Sequence, residues 1–192
     1  PPDDLKRLFH SPAYLEDTHG EPYQFWLPVL ALYTGARLNE LCQIRLDDIR
    51  EIDGIYAFVL NEDEEGVTAL KDKKVSVKST AGLRQVPIHP FVADDLNLRG
   101  YVDHMRSRGE TRLFPELPFQ NGNYGHVASK WFGVYRKAQG VDSPKKVYHC
   151  FRHTLTDNLK QQLIPESLAD ELTGHAGGGM SYGRYGKKYT LD

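Results

Sequence analysis

Residues 34–41 read Thr34-Gly35-Ala36-Arg37-Leu38-Asn39-Glu40-Leu41, and the interpretation of the chain turns on what lies to either side of them. Upstream, Phe25, Trp26, Val29, Leu30 and Leu32 recur at near-helical spacing within residues 21–33, which predicts a buried helix that stops at Gly35. Downstream, Leu38, Leu41, Cys42 and Ile44 can share one inward face, so a second short helix is expected from Leu38. Arg37 therefore falls just after a glycine break, at a helix start. An arginine there can present its guanidinium, with nearby backbone N–H groups, toward a phosphate. It can equally pair with Glu40 across one helical turn, and the string by itself leaves both readings open.

Working outward, residues 55–60, 73–78 and 84–88 are short β-prone runs separated by the turn-forming segments NEDEEG and STAG. They predict a small antiparallel sheet. From His89 onward the pattern returns to helices, over residues 91–107, 124–139 and 149–163, with another after Pro165, where proline in a first turn gives up no needed hydrogen bond. The expected fold class is α+β, mainly α-helical with a small three-stranded antiparallel sheet. No repeat, low-complexity tract or Pro/Gly/Ser-rich linker divides the sequence, so residues 1–192 read as a single domain.

The 192 residues, 40% of them hydrophobic, are enough to bury a substantial core. No run approaches the roughly eighteen apolar residues of a membrane span, and PPDDLKRLFH lacks the apolar stretch of a secretory signal, so no membrane partner is expected. Cys42 and Cys150 make neither a disulfide framework nor a metal-ligand cluster, and the reducing cytoplasm is the expected setting. The formal net charge of −2 lacks the overall basic footprint of a strong nucleic-acid binder. The distribution is uneven, however: residues 61–65 concentrate acids, whereas residues 71–78 and 184–188 are basic. Local sign matters more than the sum when a few placed residues grip phosphates.

A second string is His149-Cys150-Phe151-Arg152-His153. On a helix, His149, Arg152 and His153 are expected to form one polar patch with Phe151 pointing elsewhere. Such a patch suits phosphoryl transfer, the arginine neutralising developing charge and the histidine moving a proton near neutral pH. A His-x-x-x-His pair can also hold zinc, but the metalloprotease glutamate is absent and Arg152 would repel a cation, so no metal is expected. The third string runs from Leu172-Thr173-Gly174-His175 through three glycines to Tyr182 and Tyr185. A tyrosine on so permissive a backbone can enter and leave a site, though its hydroxyl needs cationic neighbours and a proton acceptor to act as a nucleophile. The bland counterpart is a frayed tail whose tyrosines only pack.

These three strings, in this order and with a β-hairpin lysine between the first two, resemble the tyrosine recombinase (phage integrase) family over nearly the whole chain. The resemblance implies the catalytic-domain fold of that family and an enzyme that cuts and rejoins DNA through a 3′-phosphotyrosyl link, without a cofactor, metal or ATP. It implies that Arg37 and Arg152 clamp the scissile phosphate, with Glu40 as supporting acid. Lys78 would protonate the departing 5′ oxygen; Val75 and Val77 facing one side of a strand leave Lys78 on the other. Lys71, Lys73, Lys74 and Arg84 would be phosphate contacts or solvated charges. His149 would handle a proton, His175 would hydrogen-bond the phosphate, and His153 would sit behind them. Tyr185, ten residues after His175, is the expected nucleophile; Tyr182, at seven, is the alternative and Tyr189 a distant third. Double-stranded DNA is the implied partner, with a homotetramer on paired sites in the full-length protein and a bacterial, phage or mobile-element setting. The family's additional N-terminal DNA-clamping domain is expected to be missing from this chain. Two related readings stand beside this one, a type IB topoisomerase-like activity and a decayed module that keeps the fold and DNA binding but not turnover.

Overall fold

The computed structural model describes residues 2–16, 18–61 and 83–174. Two short helices, α1 (Pro2–Phe9) and α2 (Pro12–Leu15), lead into α3 (Pro22–Thr34) and α4 (Leu38–Gln43). A 3-10 turn at Leu46–Asp48 precedes β1 (Ile49–Ile52), β2 (Ile55–Asn61) and β3 (Leu83–Pro87). A π-type turn at Phe91–Asp95 then gives way to α5 (Leu98–Ser107), α6 (Gly125–Ala138), α7 (His149–Gln161) and α8 (Glu166–Thr173). This is the mainly helical α+β class that the sequence predicts. No described helix is long and apolar enough to cross a membrane.

Helix α3 is the centre of the core because it is apolar nearly all round. Leu27 and Leu30 are wholly buried, Trp26 and Val29 almost so, and the helix packs against α4, α6 and α7. Pro28 inside it has no N–H to give to the carbonyl of Gln24 one turn back. Tyr14 of α2 supplies a donor instead: its hydroxyl donates to Gln24 O at 3.2 Å and to Phe25 O at 3.0 Å. Tyr135 of α6 ties the same N-terminal segment down, donating to Leu8 O at 2.6 Å while Ser11 Oγ lies 2.7 Å from its hydroxyl.

Among the described residues the sheet has three strands in the antiparallel order β1-β2-β3, one of them not among those expected. Residues 73–78, expected as a strand, lie outside the described residues. Strand β1 was not expected, and it forms because Asp53 and Gly54, at φ 50° and 80°, close a two-residue hairpin that pairs Ile52 with Ile55. Two consecutive positive φ values make the primed turn that matches strand twist. The helix expected over residues 91–107 is also interrupted. Asn97 takes φ 60° and caps α5, its side chain accepting from Gly100 N at 3.2 Å. A Cβ on Gly100 would stand 2.6 Å from that side-chain oxygen, so any larger residue there would make the Asn97 side chain shift.

Candidate active site

The site begins with a glycine. Gly35 ends α3 in the left-handed conformation at φ 63°, its N–H donating to Ala31 O at 3.0 Å. A Cβ at this position would meet Leu155 Cδ2 at 2.9 Å and Thr173 Cγ2 at 3.3 Å. Gly35 thus both turns the chain and lets α7 and α8 close over the break between α3 and α4.

Arg152 enters this junction from α7. It is only 2% exposed, and its Nη1 donates to Gly35 O at 2.9 Å. Two residues beyond Gly35, Arg37 caps α4 in an extended conformation. Its guanidinium is held at both tips, Nη1 donating to Glu40 Oε1 at 3.0 Å and Nη2 to Gly174 O at 3.2 Å, where α8 ends. Glu40 also accepts from the Arg37 backbone N–H at 2.7 Å, the half of a capping box in which a glutamate reaches back to the helix start. From β3, Arg84 grips the same carboxylate with two parallel bonds, 3.1 Å to Oε1 and 2.6 Å to Oε2. Burial pushes the Glu40 carboxyl up, but its bonds and charge contact with Arg84, then with Arg37, outweigh that and hold it below the usual glutamate value.

Several sequence expectations meet their places here. The two readings of Arg37 are compatible, since it pairs with Glu40 while its side chain stays 36% exposed. Arg84 is not a solvated charge; it is 1% exposed and paired with Glu40. The reason lies in strand alternation, which puts Arg84, Val86 and Ile88 on one buried face while Gln85 faces out. That alternation is present in the sequence and is the signal that locates Arg84.

The expected single polar patch of His149, Arg152 and His153, with Phe151 pointing elsewhere, is divided. His149 and His153 are exposed, their rings perpendicular with centroids 4.6 Å apart, whereas Arg152 turns inward with the buried Phe151. Helical spacing sets the three within one broad sector, and the carbonyl of Gly35 draws the arginine to its inner edge. Lys78, His175, Tyr182, Tyr185 and Tyr189 lie outside the described residues, as do Lys71, Lys73 and Lys74. Among the described residues, no three His, Cys, Asp or Glu side chains gather where they could hold a metal ion. What the described groups can do is hold guanidinium charge in fixed geometry, the arrangement that stabilises an anion without reorganisation when it forms.

The family model described as "Phage integrase family" matches residues 1–190. No curated protein matches the chain in sequence. In structure the chain is similar to XerA recombinase, with a TM-score of 0.61 at 18% identity over 92% of this chain and 55% of that one. It is similar to a lambda integrase dimer bound to a COC′ core site, TM-score 0.56 at 18% identity, covering 99% of this chain and 60% of that one. A third likeness is to the Tn1549 transposon integrase in complex with transposon right end DNA, TM-score 0.57 at 19% identity, over 98% and 60% of the two chains. The chain spans roughly half of the length of the recombinases it matches.

Proposed function

The chain belongs to the phage integrase family, and from that membership we propose that it is the catalytic domain of a site-specific DNA recombinase. It breaks and rejoins strands through a covalent 3′-phosphotyrosyl intermediate. The observation that carries this reading is the meeting of Arg37 and Arg152 at one junction, the first held by Glu40 and Gly174, the second bonded to Gly35.

In the proposed reaction, Tyr185 Oη forms a bond to the phosphorus of a backbone phosphate in duplex DNA and the P–O5′ bond breaks. Lys78 gives its proton to the departing 5′ oxygen, and His149 takes the proton of the tyrosine. Arg37 and Arg152 stabilise the pentavalent transition state, and His175 hydrogen-bonds the phosphate. His153 stands behind His149. A 5′ hydroxyl from a partner strand then attacks the phosphotyrosine and reverses the step. The phosphodiester energy stays in the protein–DNA bond, so no nucleotide is consumed, and the sequence has no GxxxxGKS or GxxxxGKT string. Double-stranded DNA is the partner, a tetramer on two duplexes the working assembly of the full-length protein, and the cytoplasm of a cell carrying the mobile element the setting.

The alternative is a module that keeps the fold and binds DNA without turnover. One experiment separates the two. The chain is incubated with nicked duplex DNA carrying the element's end, and the products are run on a denaturing gel with peptide mapping of any adduct. The recombinase reading expects an adduct at Tyr185. Salt-sensitive binding with no adduct under any condition supports the second reading and ends the first.

A further inference from the structure

Glu40 is saturated. Its two oxygens accept from the Arg37 backbone, from one tip of the Arg37 guanidinium and from both tips of Arg84. That matches the roughly four acceptor sites of a carboxylate. The two arginines that share it differ in exposure, Arg84 at 1% and Arg37 at 36%. Stability gives no obvious reason for this pair, because a buried ion pair is often no better than apolar packing of the same volume. Charge does give one. A carboxylate paired with Arg37 only would orient that guanidinium and cancel its charge in the same act, leaving little to attract an anion. With Arg84 present, the two guanidinium groups and one carboxylate sum to one positive charge, and Arg37 is the member that reaches solvent.

We propose that Arg84 is a positioning residue: by holding both Glu40 oxygens from β3, it lets Glu40 aim Arg37 without neutralising it. The proposal rests on the recombinase reading of the same site and assigns that reading a residue outside its phosphate-contacting set. The strand placement adds a consequence. Arg84 couples α4 to β3, so the aim of Arg37 depends on the sheet being in register beside it.

The test uses the whole chain with nicked duplex DNA. In Arg84→Met, adduct formation should slow about 10²-fold, the cost of losing one charge-stabilising donor. Equilibrium DNA binding should fall much less, because Arg84 is buried and Arg37 keeps its place at the surface. Arg84→Lys, which keeps the charge but not the two-pronged grip, should recover part of the rate. If Arg84→Met leaves Glu40 too strained to fold, the pair Arg84→Met with Glu40→Gln keeps the wild-type net charge without a buried lone carboxylate, and it should remain slow. A folded Arg84→Met or double variant reacting within about twofold of wild type would overturn the proposal, as would a loss of binding as large as the loss of rate; the roughly tenfold-or-greater split expected between them reflects the greater negative charge of the transition state that Arg37 stabilises. Should the wild-type chain form no adduct at all, the recombinase reading fails separately. Inorganic phosphate titrated against the Arg37 guanidinium NMR signals then decides the claim, with binding expected in wild type and its loss in Arg84→Met, and equal binding by both overturning it.

Discussion

Arg152 and Gly35 are joined by a 2.9 Å hydrogen bond from the guanidinium to the carbonyl, across 117 residues of sequence. The bond fastens α7 to the end of α3, and it exists only because Gly35 has no side chain to hold α7 and α8 away. Replacement of Gly35 should therefore be felt by fold and site together.

Gly35→Ala should lower stability by about 2 kcal/mol, from the left-handed backbone together with the clash against Leu155 and Thr173. Urea denaturation measures it. An unchanged midpoint would mean that α7 and α8 shift without cost, contrary to the packing described.

Tyr185→Phe should abolish covalent trapping on nicked DNA while sparing binding. Trapping that persists would move the nucleophile to Tyr182. Arg37→Ala should cost at least about 10²-fold in the rate of adduct formation, by analogy with loss of one preorganised charge-stabilising donor. A rate near wild type would remove Arg37 from the reaction.

Acid sensitivity should trace to Glu40. Its folded pKa lies below the ordinary 4.5, so the unfolded chain takes up the proton first as pH falls. The stability from its ionised form is fully present above pH 4.5 and is lost as pH drops through the folded value. Glu40→Gln should cost about 3 kcal/mol at neutral pH, because it leaves the buried Arg84 without its counter-charge. The gap from wild type should narrow on acidification. Parallel stability curves from pH 7 to pH 3, measured by urea titration at each pH, would contradict this assignment.

Tyr14→Phe should destabilise by about 1 kcal/mol, since the carbonyls of Gln24 and Phe25 lose their outside donor. The effect should shrink in a Pro28→Ala background, where the substituted residue regains the helical N–H that the Gln24 carbonyl otherwise lacks. A double-mutant cycle by thermal unfolding reads the coupling. Additive effects would show that Tyr14 stabilises α3 by packing only.

Tyr148→Phe should be neutral or stabilising by up to about 1 kcal/mol. The Tyr148 hydroxyl is buried, burial pushes its pKa well above 10, and no described residue hydrogen-bonds it. Removing an orphaned polar group removes its desolvation penalty. A loss above about 1 kcal/mol on urea unfolding would reveal a partner for that hydroxyl.

Much of this molecule could be read locally. The end of α3 at Gly35, the start of α4 at Leu38 and the start of α7 at His149 follow from apolar periodicity and stop signals, and they lie where the structure has them. Strand β1 escaped because Arg50 and Glu51 at its middle dilute the β signal, although Asp53-Gly54 is a strong hairpin sign. The break at Asn97 escaped because a left-handed asparagine cap leaves no mark in hydrophobic spacing. Arg84 is hidden from a reading by charge, whereas strand alternation predicts its burial.

The order of the chain therefore determined which chemistries were possible: an arginine after a glycine stop, another arginine flanked by histidines on a helix, and a family pattern linking them. Local spacing encodes those features because helix and strand periods act over a few residues. Tertiary structure decided which carbonyl receives Arg152, that Arg37 spans Glu40 and Gly174, and that Arg84 shares the carboxylate. Apart from the local Arg37–Glu40 pair, those contacts join residues 44 to 137 positions apart, and close packing of α3, α7, α8 and β3 selects them by excluding water from everything except groups that can pair.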